Sequence, residues 1–354
     1  MFARVLKIVA VNVLVLLGAA ILLELFFGLW FSKDPLDALD IQRNVSVRVD
    51  PSPLYPGGRP FEFAKNRWGF RGGDIDPAAI DILTMGGSTT NQLYLPEDQT
   101  WQAVMARRLD ALGHPAVVAN AGVDGQSSFG VLFDMQDWMP NVPGLKPKII
   151  LSYIGLNDTT IGFGSSDKLR YSGKLKWLRA HSALLRMGRI VDGMIRARAA
   201  RLTHEPIDYA HAAWTDRPNY PDNAAARPQA NAEEYAKRIE ALADAIESFG
   251  AKPVFVTQSR GDSLWRDGKL VGLPSDEGLN ALDEARLLAA FNQAALAVCV
   301  RRHLTCLDLA SDLHFADGDF YDRVHNTPQG AAKIGTYLAD KLNEGIWPVP
   351  SASR

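Results

Sequence analysis

The chain has 354 residues, 47% of them hydrophobic and 22% charged, with a formal net charge of -2 at pH 7. That length suffices for one large or two ordinary domains with a full apolar core. The near-neutral balance argues against a dedicated nucleic-acid binder, whose domain would be strongly basic.

The run from Ile8 to Phe31 is apolar apart from Asn12 and Glu24, and it is longer than the ~20 residues that carry a helix across a bilayer. Arg4 and Lys7 precede it, so the positive-inside tendency places the N-terminus in the cytoplasm and everything after Lys33 on the far side. A cleaved signal peptide is the competing reading. Its apolar core is normally shorter, and no small-x-small site follows Phe31. The expectation is an uncleaved single-pass anchor over residues 1–33 in the inner (cytoplasmic) membrane, with the remainder periplasmic or otherwise extracytoplasmic. A carboxylate is costly in hydrocarbon, so Glu24 is expected near the outer interface or against a partner helix.

Residues 34–80 contain Pro51, Pro53, Pro56 and Pro60, which predicts an irregular juxtamembrane segment. From residue 81 to about 350 short apolar runs (82–85, 116–119, 149–154, 253–257, 304–309) alternate with helical patterns at 100–112, 232–249, 279–302 and 328–344. Such alternation predicts an α/β fold whose parallel sheet is covered on both faces. Residues 162–230 interrupt it as a basic insertion: from Lys168 to Arg201 there are ten Lys or Arg and one acid, Asp192. A solvated helix face, contact with anionic lipid headgroups and contact with an anionic glycan all fit that charge. Cys299 and Cys306 are open to two readings, a disulfide on the oxidising side of a membrane or two small buried hydrophobes.

Three separated segments carry chemistry: Gly86-Gly87-Ser88-Thr89-Thr90, Gly155-Leu156-Asn157-Asp158 and Asp322-Arg323-Val324-His325. They supply a serine, an amide donor, a carboxylate and an imidazole. A serine hydroxyl is a weak nucleophile until a base lies within hydrogen-bond reach and a third group holds that base in one tautomer. Ser88, Gly125 and Asn157 each follow an expected strand, and open parallel sheets place their ligand crevice at those strand ends. Thr327 and Pro328 form an N-cap and N1 pair, which sets the loop bearing Asp322 and His325 at the start of the last helix. His114, His181, His204, His211, His303 and His314 have no matching carboxylate motif and read as structural.

In order and spacing these blocks, with Asn120-Ala121-Gly122-Val123-Asp124-Gly125 between the first two, resemble the SGNH (GDSL-like) hydrolases over about residues 81–345. The resemblance implies a three-layer α/β/α sandwich with a mainly parallel, flavodoxin-like sheet. It implies Ser88 as nucleophile, His325 as general base and Asp322 as its partner. The oxyanion hole would comprise the Ser88 and Gly125 amides and the Asn157 side chain. The family's aspartate before the serine is replaced here by Gly87, which leaves the triad itself intact. Asn66-Arg67-Trp68-Gly69-Phe70-Arg71-Gly72 also looks like the entry segment of membrane-tethered bacterial members.

The implied activity is that of a serine esterase working through an acyl-enzyme, with no metal and no organic cofactor. A cell-envelope glycan carrying O-acetyl or other short acyl esters is the favoured substrate. The alternatives are an O-acyltransferase using the same residues, a lysophospholipase or thioesterase, and, from another class, a silent scaffold in an envelope polysaccharide complex. Trp101, Trp138 and Tyr153 suit either sugar stacking in the crevice or the core.

Overall fold

The computed structural model describes residues 2–39, 41–160, 175–199, 204–220 and 226–347. In chain order, helix α1 (Phe2–Phe27) is followed by strands β1 (Val45–Val49) and β2 (Phe61–Lys65). Next come β3 (Ile82–Gly86), α2 (Ser88–Asn91), α3 (Trp101–Ala111), β4 (Val118–Asn120), α4 (Ser128–Phe133) and β5 (Ile149–Tyr153). Helices α5 (Lys176–His181), α6 (Ala183–Ala199) and α7 (Ala226–Phe249) precede β6 (Lys252–Val256), β7 (Ser263–Arg266) and β8 (Lys269–Gly272). Helix α8 (Ala281–Arg302), β9 (Thr305–Leu307), α9 (Leu309–Asp312) and α10 (Pro328–Asn343) complete the series. The chain divides into two compact units, Met1–Ile41 with Lys168–Thr203, and Gln42–Asp167 with His204–Arg354.

The larger unit is built on a five-stranded sheet of order β4-β3-β5-β6-β9, parallel throughout. β3 and β5 are buried at every position, as strands covered on both faces must be. Ile82, Ile149, Leu151, Val254 and Val256 share one core with Trp101 and Met105 of α3 and Ile334 and Leu338 of α10. On the other face α7 packs with α8, and Tyr235 meets Phe291 at 5.2 Å between ring centroids. The fold is the α/β/α sandwich expected. Its strand order is that of the flavodoxin-like doubly wound sheets, in which the chain reverses direction across the sheet between the first and third strands. Here those are β3 and β5, and the crevice opens at their C-terminal ends.

Trp101, Trp138 and Tyr153 all lie in the core, at 0%, 0% and 3% exposure, so none of them lines a crevice for sugar stacking. The segment expected to be irregular contains an antiparallel pair, β1 with β2. Alternation in Val45-Ser46-Val47-Arg48-Val49 carries the strand, and the four prolines fall in the connection between the two strands. Cys299, near the end of α8, is joined to Cys306 of β9 by a disulfide with the Cα atoms 6.1 Å apart. Helix α8 begins with a capping box between Asn280 and Asp283, and Thr327 caps α10 by accepting from Gly330 N.

The smaller unit consists of α1, α5 and α6. α1 is 26 residues long with a mean hydropathy of 2.6 over its most apolar stretch and has no buried residue. It is long and apolar enough to cross a membrane, a property shared by anchors and signal sequences. Within this unit Glu24 is not bare, and among the described residues its partners are hydrogen-bond donors at the start of α6 and Trp30. Its carboxylate accepts from Ser182 Oγ (2.5 Å), Ala183 N (2.9 Å), Leu184 N (3.1 Å) and Trp30 Nε1 (3.0 Å). It thus caps the start of α6. Of the expected basic insertion, residues 162–174, 200–203 and 221–225 lie outside the described residues.

Candidate active site

Strand β3 runs through Gly86 into the turn Gly87-Ser88, and Ser88 opens α2. The turn is closely enclosed. A Cβ placed on Gly87 would lie 2.4 Å from Asn157 Nδ2 and 2.9 Å from Gln126 O. The position where the family carries aspartate can therefore hold only glycine while Asn157 stays where it is. Asn157 follows β5 and donates from Nδ2 to Gln126 O at 2.8 Å, so its amide stands between the Ser88 turn and the Gly125-Gln126 turn. Gly125 has φ +74°, a left-handed conformation that a residue with a Cβ adopts only at a cost. Three segments far apart in sequence thus converge on one rim of the sheet.

On the opposite side of the serine, His325 Nε2 lies 2.7 Å from Ser88 Oγ. His325 Nδ1 lies 2.8 Å and 2.9 Å from the two Asp322 oxygens. With Nδ1–H donating to the carboxylate, Nε2 is left as the acceptor for the serine hydroxyl. Asp322 also accepts from the amides of Val324 (2.9 Å) and His325 (2.7 Å), which fixes the loop around its own carboxylate.

A second imidazole shares that carboxylate. His204 Nδ1 lies 2.6 Å from Asp322 Oδ2, and its ring meets that of His325 edge-on at 4.8 Å. His204 was expected to be merely structural, and no motif marks it. It is held in place because the following segment bonds along the site loop, Ile207 N donating to Tyr321 O at 3.0 Å. Burial by itself would raise the Asp322 pKa. The hydrogen bonds from His204 and His325, the charge of His325 and the Val324 amide outweigh it and hold the carboxyl well below its ordinary range.

His204, Asp322 and His325 each offer a ligand atom, all within 4.8 Å of one another. The same atoms satisfy one another by hydrogen bonding, and a metal there would have to displace both imidazole protons.

Several supporting residues were not foreseen. Gln258, just beyond β6, accepts from Leu156 N at 2.7 Å and donates to Thr89 Oγ1 at 2.9 Å. It ties the turn bearing Asn157 to the one bearing Ser88. Arg71 donates to the carbonyls of Asn91, at the end of α2, and of Gln92 and Leu95 beyond it, and pairs with Glu97 at 2.8 Å. Lys65, its pKa drawn down to about 8 by burial against the pull of Asp124, donates to Gly122 O at 2.7 Å. Asp158 accepts from Ser128 N at 3.0 Å, at the first turn of α4, and from Arg238. Burial raises its pKa against those bonds.

The family model described as the GDSL-like Lipase/Acylhydrolase family matches residues 84–278, more than half of the chain. The chain belongs to the GDSL-like lipase/acylhydrolase family. It is accordingly an enzyme that hydrolyses ester bonds. The family match takes in Ser88, Gly125 and Asn157 but ends before Asp322 and His325, which the fold brings to the serine. Among solved structures the chain is similar to Est24, a carbohydrate acetylesterase from Sinorhizobium meliloti, at 13% identity and TM-score 0.41, covering 75% of this chain and 99% of that one. It is similar to TesA at 16% identity and TM-score 0.43, covering 75% and 98%. It is also similar to a member of the lipolytic protein G-D-S-L family from Veillonella parvula DSM 2008, at 14% identity and TM-score 0.41, covering 77% and 100%. No curated protein matches the chain.

Proposed function

We propose that this hydrolase is a serine esterase that removes short acyl groups, O-acetyl above all, from an envelope carbohydrate. The observation that carries the reading is the unbroken hydrogen-bonded path from Ser88 Oγ through His325 to Asp322. Ser88 attacks the ester carbonyl while His325 takes its proton, and Asp322 holds the imidazole and steadies its cationic form. The carbonyl oxygen, now negative, is met by the amides of Ser88 and Gly125 and by the second N–H of Asn157 Nδ2, whose first serves Gln126. Collapse of the tetrahedral species expels the alcohol, protonated by His325, and leaves an acyl-enzyme. Water activated by the same histidine then releases the acid.

Two features favour a small acyl group on a polar alcohol. The rings around His325 are Tyr321, stacked at 5.6 Å, and His204, which in turn meets Tyr94 at 4.9 Å. Tyr321 is buried, while His204 and Tyr94 are part-buried and bring polar groups close to His325. Beside the site loop a cavity of about 350 Å³ is lined in part by Glu205, Asp208, His211 and Arg323, polar and charged side chains suited to binding sugar hydroxyls. The same cavity suits a sugar acting as acyl acceptor, so an O-acyltransferase is the second reading.

Extracytoplasmic placement on an uncleaved anchor fits Arg4 and Lys7 in the first turns of α1, ahead of its apolar run. It fits the Cys299–Cys306 disulfide, since such bonds persist in oxidising compartments. Glu24 adds support, because cleavage behind α1 would strip α6 of its cap.

The test is turnover of p-nitrophenyl acetate, butyrate and octanoate, and of an O-acetylated glycan, by the full chain. Highest turnover on acetate with free acetate released from the glycan is expected. A preference for octanoate would overturn the short-acyl assignment. Acetate passed to an added unacetylated glycan in place of water would establish the transferase instead.

A further inference from the structure

In the smaller unit, α6 carries an apolar stripe that no described residue of that unit covers. Met187, Ile190, Val191 and Ile195 recur at helical spacing and are 52%, 63%, 49% and 63% exposed. Contiguous exposed apolar surface of this kind marks an interaction face. Arg189 and Asp192 lie around the other side of the helix, giving the two-faced character of a helix that rests in a membrane surface.

What lies against that stripe is indicated by where α6 begins. The Glu24 carboxylate receives the amides of Ala183 and Leu184 and the hydroxyl of Ser182. Arg186 Nη2 donates to Phe27 O at 2.6 Å, and Leu29 N to His181 O at 2.8 Å. The first turn of α6 is therefore fastened to the last turns of α1. Glu24 stands three residues before the end of α1, about 4.5 Å along its axis. Interfacial helices bury their apolar face ~5–10 Å into the boundary between headgroups and acyl chains. Trp30 and Trp177 sit at the same junction, ring centroids 5.5 Å apart, with Trp177 60% exposed. Tryptophan favours that depth because its ring is apolar and its N–H is not.

We propose that α6 lies in the outer surface of the bilayer that α1 spans, with Met187, Ile190, Val191 and Ile195 set among the acyl chains just below the headgroups. The anchor is then an L of two helices rather than a single rod, and the capped corner at Glu24 fixes the angle between them. This rests on the anchor reading above and goes beyond it.

The test uses the full chain in vesicles of phosphatidylethanolamine and phosphatidylglycerol, with the native disulfide kept closed. Single substitutions Met187→Cys, Val191→Cys, Gly193→Cys and Leu14→Cys each carry a polarity-sensitive fluorophore. Gly193 is on the side away from the stripe and has open space around it. The expected result is blue-shifted emission at 187 and 191, quenched by nitroxide lipids labelled near the headgroup. At 14 quenching should come from deep labels, and at 193 only from aqueous iodide. Iodide quenching at 187 and 191 equal to that at 193 overturns the proposal while leaving the anchor intact. Protection of 187 and 191 without lipid quenching also overturns it, in favour of a protein partner. An aqueous signal at 14 as well would remove the anchor reading together with the proposal.

Discussion

Gly87→Ala places one methyl group where the structure has no room for it. The added carbon would sit 2.4 Å from Asn157 Nδ2 and 2.9 Å from Gln126 O, whereas ordinary contact begins at about 3.4 Å. The amide must retreat by about 1 Å, and the Gln126 carbonyl to which it is bonded belongs to the backbone that presents the Gly125 N–H. A donor displaced by that much no longer meets the oxyanion. Loss of one such donor costs about 10²–10³ in turnover, roughly 3–4 kcal/mol of transition-state stabilisation. The same reasoning holds for Gly87→Asp, so restoring the family's usual residue should inactivate this enzyme. Steady-state kinetics on p-nitrophenyl acetate would show kcat reduced and KM little changed, with thermal unfolding run alongside to exclude loss of the fold. In the Asn157→Ala background, Gly87→Ala should cost almost nothing more, because both act on one donor. Gly87→Ala with full turnover, or with a full additional penalty on Asn157→Ala, would refute the steric account.

Asn157→Ala alone should lower kcat by about 10²–10³, read in the same assay. His204→Ala removes a hydrogen bond to a buried carboxylate, a contact worth about 1.5–3 kcal/mol. It should cut turnover about tenfold or more and lower the melting temperature, with partial recovery in His204→Asn. Asp322→Asn should abolish most activity and also destabilise the protein at neutral pH. The folded carboxyl titrates below its unfolded value of ~3.9, so the stability it confers is complete above that value and declines as pH falls toward the folded pKa. The gap in melting temperature between wild type and Asp322→Asn should therefore narrow below about pH 4, and a gap that widens there would contradict the assignment. Cys299→Ser opens a short loop whose closure is worth roughly 2 kcal/mol, so differential scanning calorimetry should register a melting temperature several degrees lower with activity retained.

The central strands were legible because burial on both faces demands nearly continuous apolar runs, as in 82–85 and 149–154, broken only by Thr84 and Ser152. Helices such as α3 and α10 announced themselves by period, and α10 also by the cap Thr327. β1 was obscured by the prolines that follow it. The β7–β8 hairpin turns at Asp267-Gly268, both at positive φ, a dipeptide that is a strong local signal for a tight turn. The candidate site was readable in its motif residues, whose chemistry is conspicuous in sequence. Its supports were not. His204 reaches Asp322 across 118 residues and Gln258 reaches Thr89 across 169, and no local pattern encodes a contact that only the folded sheet creates. Gly87 looked like a departure from the family pattern until the position of the Asn157 amide supplied the reason for it.

The central claim is that Ser88 is the group made nucleophilic by His325. It is tested most directly by treating the full chain with a fluorophosphonate and mapping the adduct by intact and peptide mass spectrometry. A single adduct on Ser88 is predicted, formed rapidly in the wild type, much more slowly in His325→Ala, and not at all in Ser88→Ala. No adduct on the wild type, or equal labelling of wild type and Ser88→Ala, would contradict the account.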